Sequence, residues 1–233
     1  MELKLTKTFL LDTWLFFRSN FNYIILIVFP FTIPLEIFSF VYYEFLAEAE
    51  GGLAPFIPEL FYLFFYPIFN AALVFFVASV IKGRSITATQ AWGLGIKYWP
   101  SYFVLTVILI LVVGFGFAIF IFPGLILAAR LAFSEFDLLI KNESVGQSLK
   151  SSWKSSKEYF WVLLNGGLVI TFVIYAPYFL IFSILSEIGL YSEILYLILS
   201  IIESALMALY TIYAFRVYDF SNQQHNKQRK ADA

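Results

Sequence analysis

The run Pro100–Phe122 carries no charged side chain, and Phe21–Tyr43, Leu60–Ile81, Phe160–Ser186 and Leu190–Val217 are nearly as apolar. A helix needs about 20 predominantly apolar residues to cross a bilayer. Hydrocarbon offers the backbone no partners, so such runs must satisfy their own N–H and C=O groups as helices. A shorter stretch, Gly124–Ile140, is interrupted by Arg130, Glu135 and Asp137 and brings the expected spans to six. The expected fold class is therefore all-α, a polytopic membrane protein forming one integral domain over residues 1–233. Composition agrees: 61% of residues are hydrophobic and 13% charged, against about 45–50% and about 25% in soluble domains.

Charge placement orients the spans. If six of them alternate from a cytoplasmic amino terminus, every Lys and Arg except Arg130 falls on the cytoplasmic side. Glu44, Glu48, Glu50, Glu59, Glu187 and Glu193 fall opposite, in loops without Lys or Arg. Lys/Arg bias in short loops sets orientation, so both termini are expected inside. Met1–Asn20 has no cleavable-signal pattern, because Asp12 and Arg18 interrupt it; it reads as a helix at the cytoplasmic surface. The polar tail 221–233 reads as disordered. Pro123-Gly124 reads as a tight turn between spans three and four.

Three basic segments carry apolar residues at i, i+4, i+7 and i+11, one helix face. These are Leu10-Trp14-Phe17-Phe21, Trp92-Ile96-Trp99-Phe103, and Leu149-Trp153-Ser156-Phe160, where a serine interrupts. They suggest three units, each an interfacial elbow helix followed by a two-span hairpin. Either a duplication or the shared demand for interfacial aromatics and cations produces such a pattern. In the third elbow, Val145, Leu149, Trp153 and Phe160 form the expected apolar face. Lys150, Lys154 and Lys157 lie beside it, where each ammonium contributes roughly 1 kcal/mol of attraction to an anionic leaflet. Lys150, Lys154, Lys157 and Trp153 are thus the expected lipid-headgroup or partner surface.

Arg130 is the most pointed single residue. An unpaired arginine near the bilayer centre costs about 2.5–3.5 kcal/mol even on a lenient scale, so it calls for a partner or a wet cavity. Glu36 and Glu203 fall at comparable depths, and either could pair with it. The trio reads as a polar cavity or as an ion pair fixing helix register. Glu135 and Asp137, two residues apart, point in different directions and are expected to be solvated at the cytoplasmic end. Asn70, Gly114-Phe115-Gly116 and Asn165-Gly166-Gly167 read as close-approach sites between helices.

Catalytic constellations are sparse. The one histidine, His225, sits in the tail, and there is no cysteine, so His-based triads and clusters of His or Cys metal ligands cannot be assembled. No nucleophile elbow, phosphate loop or dinucleotide fingerprint occurs. Ser151, Ser152, Ser155 and Ser156 read as the polar face of a surface helix. No enzyme, cofactor or metal is expected.

The run Pro123-Gly124-x-x-x-Ala128-x-Arg130, then Ser148-Leu149-x-x-Ser152-Trp153 and Phe160-Trp161, resembles two bacterial membrane families. One is the YciC-like family of uncharacterised inner-membrane proteins. The other is the membrane domain attached to some glycerophosphodiester phosphodiesterases. Asp12-Thr13, Phe16-Phe17-Arg18-x-x-Phe21 and Ile212-Tyr213-x-Phe215-Arg216-x-Tyr218 also resemble the YciC-like pattern, whereas Arg130 fits the phosphodiesterase-linked domain better. The resemblance implies a bacterial inner-membrane protein of about six spans, without the phosphodiesterase activity. The expected role is engagement of membrane lipids, or of another inner-membrane protein, through the cytoplasmic elbows; nucleic acid is not an expected partner. The alternative is a transporter of small solutes or lipids with its polar site around Arg130.

Overall fold

The computed structural model describes residues 2–45, 56–189 and 192–231. Ten α-helices follow in order: α1 (Glu2–Ser19), α2 (Phe21–Phe45), α3 (Ile57–Ile81), α4 (Ala88–Ile119), α5 (Ile121–Leu131), α6 (Ser134–Lys141), α7 (Val145–Ser155), α8 (Phe160–Glu187), α9 (Glu193–Leu206) and α10 (Ala208–Ala231). A 3-10 turn, Ser156–Tyr159, joins α7 to α8. No strand occurs among the described residues. Five helical stretches among them are long and apolar enough to cross a membrane: Phe21–Phe45, Ile57–Ile81, Ala88–Ile119, Val145–Glu187 and Glu193–Gln228. Most of the acidic loop expected after the first span, including Glu48 and Glu50, lies outside the described residues.

Helix ends follow local chemistry. Thr87 caps α4 through a reciprocal box, its Oγ1 accepting from Gln90 N at 3.2 Å while Gln90 Oε1 accepts from Thr87 N at 3.0 Å. Asn142 ends α6 in the left-handed region at φ 56°, a conformation that asparagine tolerates better than most residues. Pro30, Pro34, Pro67, Pro100 and Pro177 lie inside helices that continue past them.

Three expectations change. The turn expected at Pro123-Gly124 falls earlier, at Phe120, whose backbone is extended. Pro123 instead belongs to the first turn of α5, where its missing N–H costs nothing. Gly124 serves close packing: a Cβ there would strike the ring of Phe117, and one on Gly116 would lie 2.7 Å from Leu127 Cδ1. The second elbow is no separate helix, because α4 runs from it through Pro100 without interruption. The tail from Ser221, expected to be disordered, continues as helix to Ala231. Helix α1 supports it, with Phe9 packing on Phe220 at 5.5 Å between ring centroids and Ser221 buried. Gln, Lys and Arg in this stretch are good helix formers.

The core is aromatic where the short helix α6 meets α10. Phe136 packs edge-on against Phe215 at 5.3 Å and Phe133 against Tyr218 at 5.4 Å. Arg216 covers the ring of Phe16 from α1, its guanidinium carbon 5.2 Å from the centroid. Helices α8 and α10 meet at Gly166, where a Cβ would strike the Tyr213 ring. That ring is fixed by its hydroxyl, which donates to Val162 O at 2.7 Å. Its neighbour Gly167 faces open space.

These two adjacent glycines give a matched test of the packing. Gly166→Ala is expected to destabilise the protein by about 1–3 kcal/mol through overpacking against a fixed ring. Gly167→Ala should leave the thermal midpoint in detergent nearly unchanged. Equal midpoints for the two variants would contradict this packing.

Candidate functional site

The site is organised by a break in the stretch expected as span four. Helix α5 stops at Leu131 and α6 starts at Ser134, leaving backbone groups without helical partners. Serines of α7 and of the 3-10 turn after it supply them. Ser152 Oγ accepts from Phe133 N at 3.1 Å and donates to Arg130 O at 2.9 Å, while Ser156 Oγ donates to the same carbonyl at 2.8 Å. Ser134 Oγ closes the turn onto Leu131 O at 2.6 Å. Ser148, Ser152 and Ser156 are each fully buried, so the inward face of this elbow is its serine face. That corrects the expectation that Ser152 and Ser156 belong to the polar face of a surface helix; Trp153 beside them is 45% exposed. The physical reason is that a helix break buried in a membrane protein needs hydrogen-bonding groups more than it needs apolar ones.

The break aims Arg130 outwards. Its guanidinium donates to Trp153 O and lies over the Trp153 ring, 4.6 Å from the centroid. Its Nε has no hydrogen-bond partner. Arg130, Trp153, Lys154, Lys157 and Trp161 line an open groove of about 770 Å³, with no Asp or Glu among the lining residues. The structure thus brings Arg130 together with Lys154, Lys157 and Trp153, which sequence reasoning had treated as separate features. Lys150 is exposed on the same helix but does not line the groove.

The structure does not bring Arg130 to Glu36 or Glu203. Both acids line another cavity, of about 600 Å³, with Glu44, Glu59 and Glu193. Helices α2 and α9 bound it and are tied by Ser204 Oγ donating to Thr32 Oγ1 at 3.1 Å. Among the described residues the one ion pair is Lys141 Nζ to Asp137 Oδ1, at 2.8 Å. The expected trio is therefore not a single polar site: the arginine turns towards Lys154 and Lys157 and the acids towards other acids.

A polar network that sequence reasoning missed lies on the other side of the break. Glu135 Oε2 accepts from Tyr102 OH at 2.5 Å and from Asn70 Nδ2 at 3.1 Å. Asn70 Nδ2 also donates to the Tyr102 oxygen at 2.5 Å, and Asn70 Oδ1 accepts from Thr211 Oγ1 at 2.9 Å. Four helices, α3, α4, α6 and α10, thus meet through side chains at one point. Asp137 points elsewhere, fully buried and accepting from Tyr218 OH at 3.0 Å. The two acids diverge as their spacing implied; Asp137 is shut away from solvent and Glu135 is partly buried. The available signal was Asn70 itself, an amide in a run that is otherwise apolar, which read as packing rather than as a hub.

A family model described as an uncharacterised protein family, UPF0259, matches residues 56–220. A UPF0259 membrane protein of Photorhabdus laumondii is 31% identical over 142 residues, covering 61% of this chain and 54% of the relative. A UPF0259 membrane protein of Yersinia pestis is 30% identical over 149 residues, covering 63% and 56%. The chain spans about half the length of the curated relatives it matches. No solved structure matches. The family match includes the α5–α6 break, the serines of α7 and the Glu135 network, and leaves Glu36 outside.

The serine contacts make a direct prediction. Ser152→Ala is expected to cost about 1–3 kcal/mol, because a buried N–H loses its acceptor and a carbonyl loses a donor. Ser151→Ala, on a neighbouring position without a side-chain bond to α5 or α6, should be neutral. Thermal unfolding of both variants in the same detergent checks it.

Proposed function

This chain belongs to the UPF0259 family of membrane proteins, and we propose that it is a non-catalytic lipid-binding protein of the bacterial inner membrane. It holds anionic phospholipid headgroups in the groove of Arg130, Lys154 and Lys157. The observation that carries this reading is the groove itself: three cations and two tryptophans, with no acid on its walls. Arginine presents a planar fork suited to phosphate oxygens, whereas lysines act as point charges. Tryptophans suit the headgroup level of a bilayer.

The hairpin of α4 and α5–α6 supports a sixth crossing. Gly116 approaches Gly124, Leu109 and Val113 share a void with Ala128 and Leu131, and Tyr102 bonds Glu135. The order is reversed, so α5 and α6 together run back along α4. Counted with the five long stretches, this return makes six crossings and leaves both termini, with the basic connectors, on the cytoplasmic side.

Topology and binding are separately testable in a chain with no native cysteine. Single substitutions Phe120→Cys and Glu187→Cys are expected to react with an impermeant maleimide in intact spheroplasts. Arg84→Cys and Gln147→Cys should react only after permeabilisation; labelling of Gln147→Cys from outside would remove the sixth crossing. For binding, native mass spectrometry from nanodiscs of mixed zwitterionic and anionic lipid should show anionic lipid retained at fixed stoichiometry. The double variant Lys154→Gln/Lys157→Gln is expected to lose about tenfold or more of that retention, at roughly 1 kcal/mol per lysine, while Lys150→Gln loses less. Retention without preference for anionic lipid, or unchanged in the double variant, would sink the proposal.

A further inference from the structure

The Glu135 network has a feature that packing alone does not use. Both of its donors, Tyr102 and Asn70, reach the same oxygen, Oε2, and Oε1 receives no hydrogen bond. No Lys, Arg or His forms an ion pair with it, since the one ion pair among the described residues belongs to Asp137. A carboxylate withdrawn from water without a cation is costly. This one also lines two voids: a cavity of about 380 Å³ between α5, α8 and α10, and a smaller one of about 170 Å³ against α4. The larger void is walled by Leu163, Leu164 and Leu168, with the hydroxyl-bearing Tyr66, Tyr210 and Thr211 also in its lining. Its volume falls within the range of small-molecule sites, roughly 300–1,000 Å³, and its apolar walls with a few convergent polar groups follow their usual pattern.

We propose that this cavity is a binding site for a small amphipathic amine, whose ammonium group sits on Glu135 while its alkyl body lies against the leucines of α8. The site is independent of the lipid-headgroup groove, which is lined by a different set of residues and selects the opposite charge. An ammonium supplies both the missing cation and the missing donor to Oε1, and charge-assisted hydrogen bonds are about twice as strong as neutral ones. An alcohol of the same length would supply the donor without the charge. A hard metal cation fits poorly, since it needs six or more oxygen ligands or several waters and no acidic or histidine cluster surrounds Glu135 among the described residues.

The test uses decylamine and decanol, each carrying a diazirine on the alkyl chain, photolysed with the full chain in nanodiscs and mapped by peptide mass spectrometry. The amine is expected to label α5 and the first half of α8, about tenfold above the alcohol, the ratio of about 1.4 kcal/mol in affinity. Two variants separate site from surface. Glu135→Gln removes the charge. Gly167→Leu leaves Glu135 intact and fills the cavity, and a Cβ at Gly167 meets nothing within 4 Å, so that variant is expected to fold. Loss of the labelling in both supports the site. Equal labelling by amine and alcohol, labelling that survives Gly167→Leu, or labelling confined to outward residues such as Phe172 and Phe179 would overturn it.

Discussion

The arrangement of this protein depends on how one interrupted helix is satisfied. Between Leu131 and Ser134 the chain leaves helical geometry, and the orphaned Phe133 N–H and Arg130 C=O are taken up by Ser152 of α7 and Ser156 of the turn after it. In a medium without water such groups must find protein partners. Holding the break requires α7 to dock with its serines inwards, and this docking decides which side of α7 meets the surroundings. Trp153, Lys154 and Lys157 face outwards because Ser148, Ser152 and Ser156 face in.

Two charged environments lie on either side of the same break. Arg130 and Glu135 are five residues apart, and the change of direction between them sends the guanidinium to the Trp153 ring and the carboxylate to Tyr102 and Asn70. Short α6 is then held from both ends of its polar surface, through Glu135 towards α3 and α4 and through Asp137 towards Tyr218 of α10. Its remaining faces are filled by Phe133, Phe136, Leu138 and Leu139, all fully or almost fully buried. A helix of one or two turns has little stability of its own, so α6 exists because its neighbours define it.

Much of this was legible in the sequence, and what was not has a physical cause. Apolar runs marked α2, α3 and α8 closely, because length and lack of charge are sufficient signals for a membrane helix. The stretch Gly124–Ile140 was legible as exceptional, since Arg130, Glu135 and Asp137 sit in it, but not as broken. No Pro or Gly lies at residues 132–133; the cause of the break is tertiary, in serines some twenty positions later. In elbow α7 the serines read as the polar face of a surface helix, because polarity alone points to water, whereas here the inward surface is a set of backbone groups needing hydroxyls. The tail was read as disordered from its polarity, which is blind to the cover that α1 gives to Phe220 and Ser221.

The expected pairing of Arg130 with Glu36 or Glu203 rested on depth, and depth is only one coordinate. Opposite charges in a low-dielectric setting attract strongly, yet a pair forms only where two helices also share a face. Arg130 is turned by its break towards α7, and there it meets Lys154 and Lys157 rather than an acid. Glu36 and Glu203 lie on α2 and α9, whose contact encloses Glu59 and Glu193 as well. Each charge in question has therefore joined others of its own sign. Sorting of this kind is costly within the protein and is stable only if something outside it compensates: counter-ions and water where the acids open and, under the proposed function, anionic headgroups where the arginine does. The lone arginine that broke the charge pattern in the sequence thus joins it in the structure, since the other charged residues lining its groove are Lys154 and Lys157, from which it had seemed to stand apart.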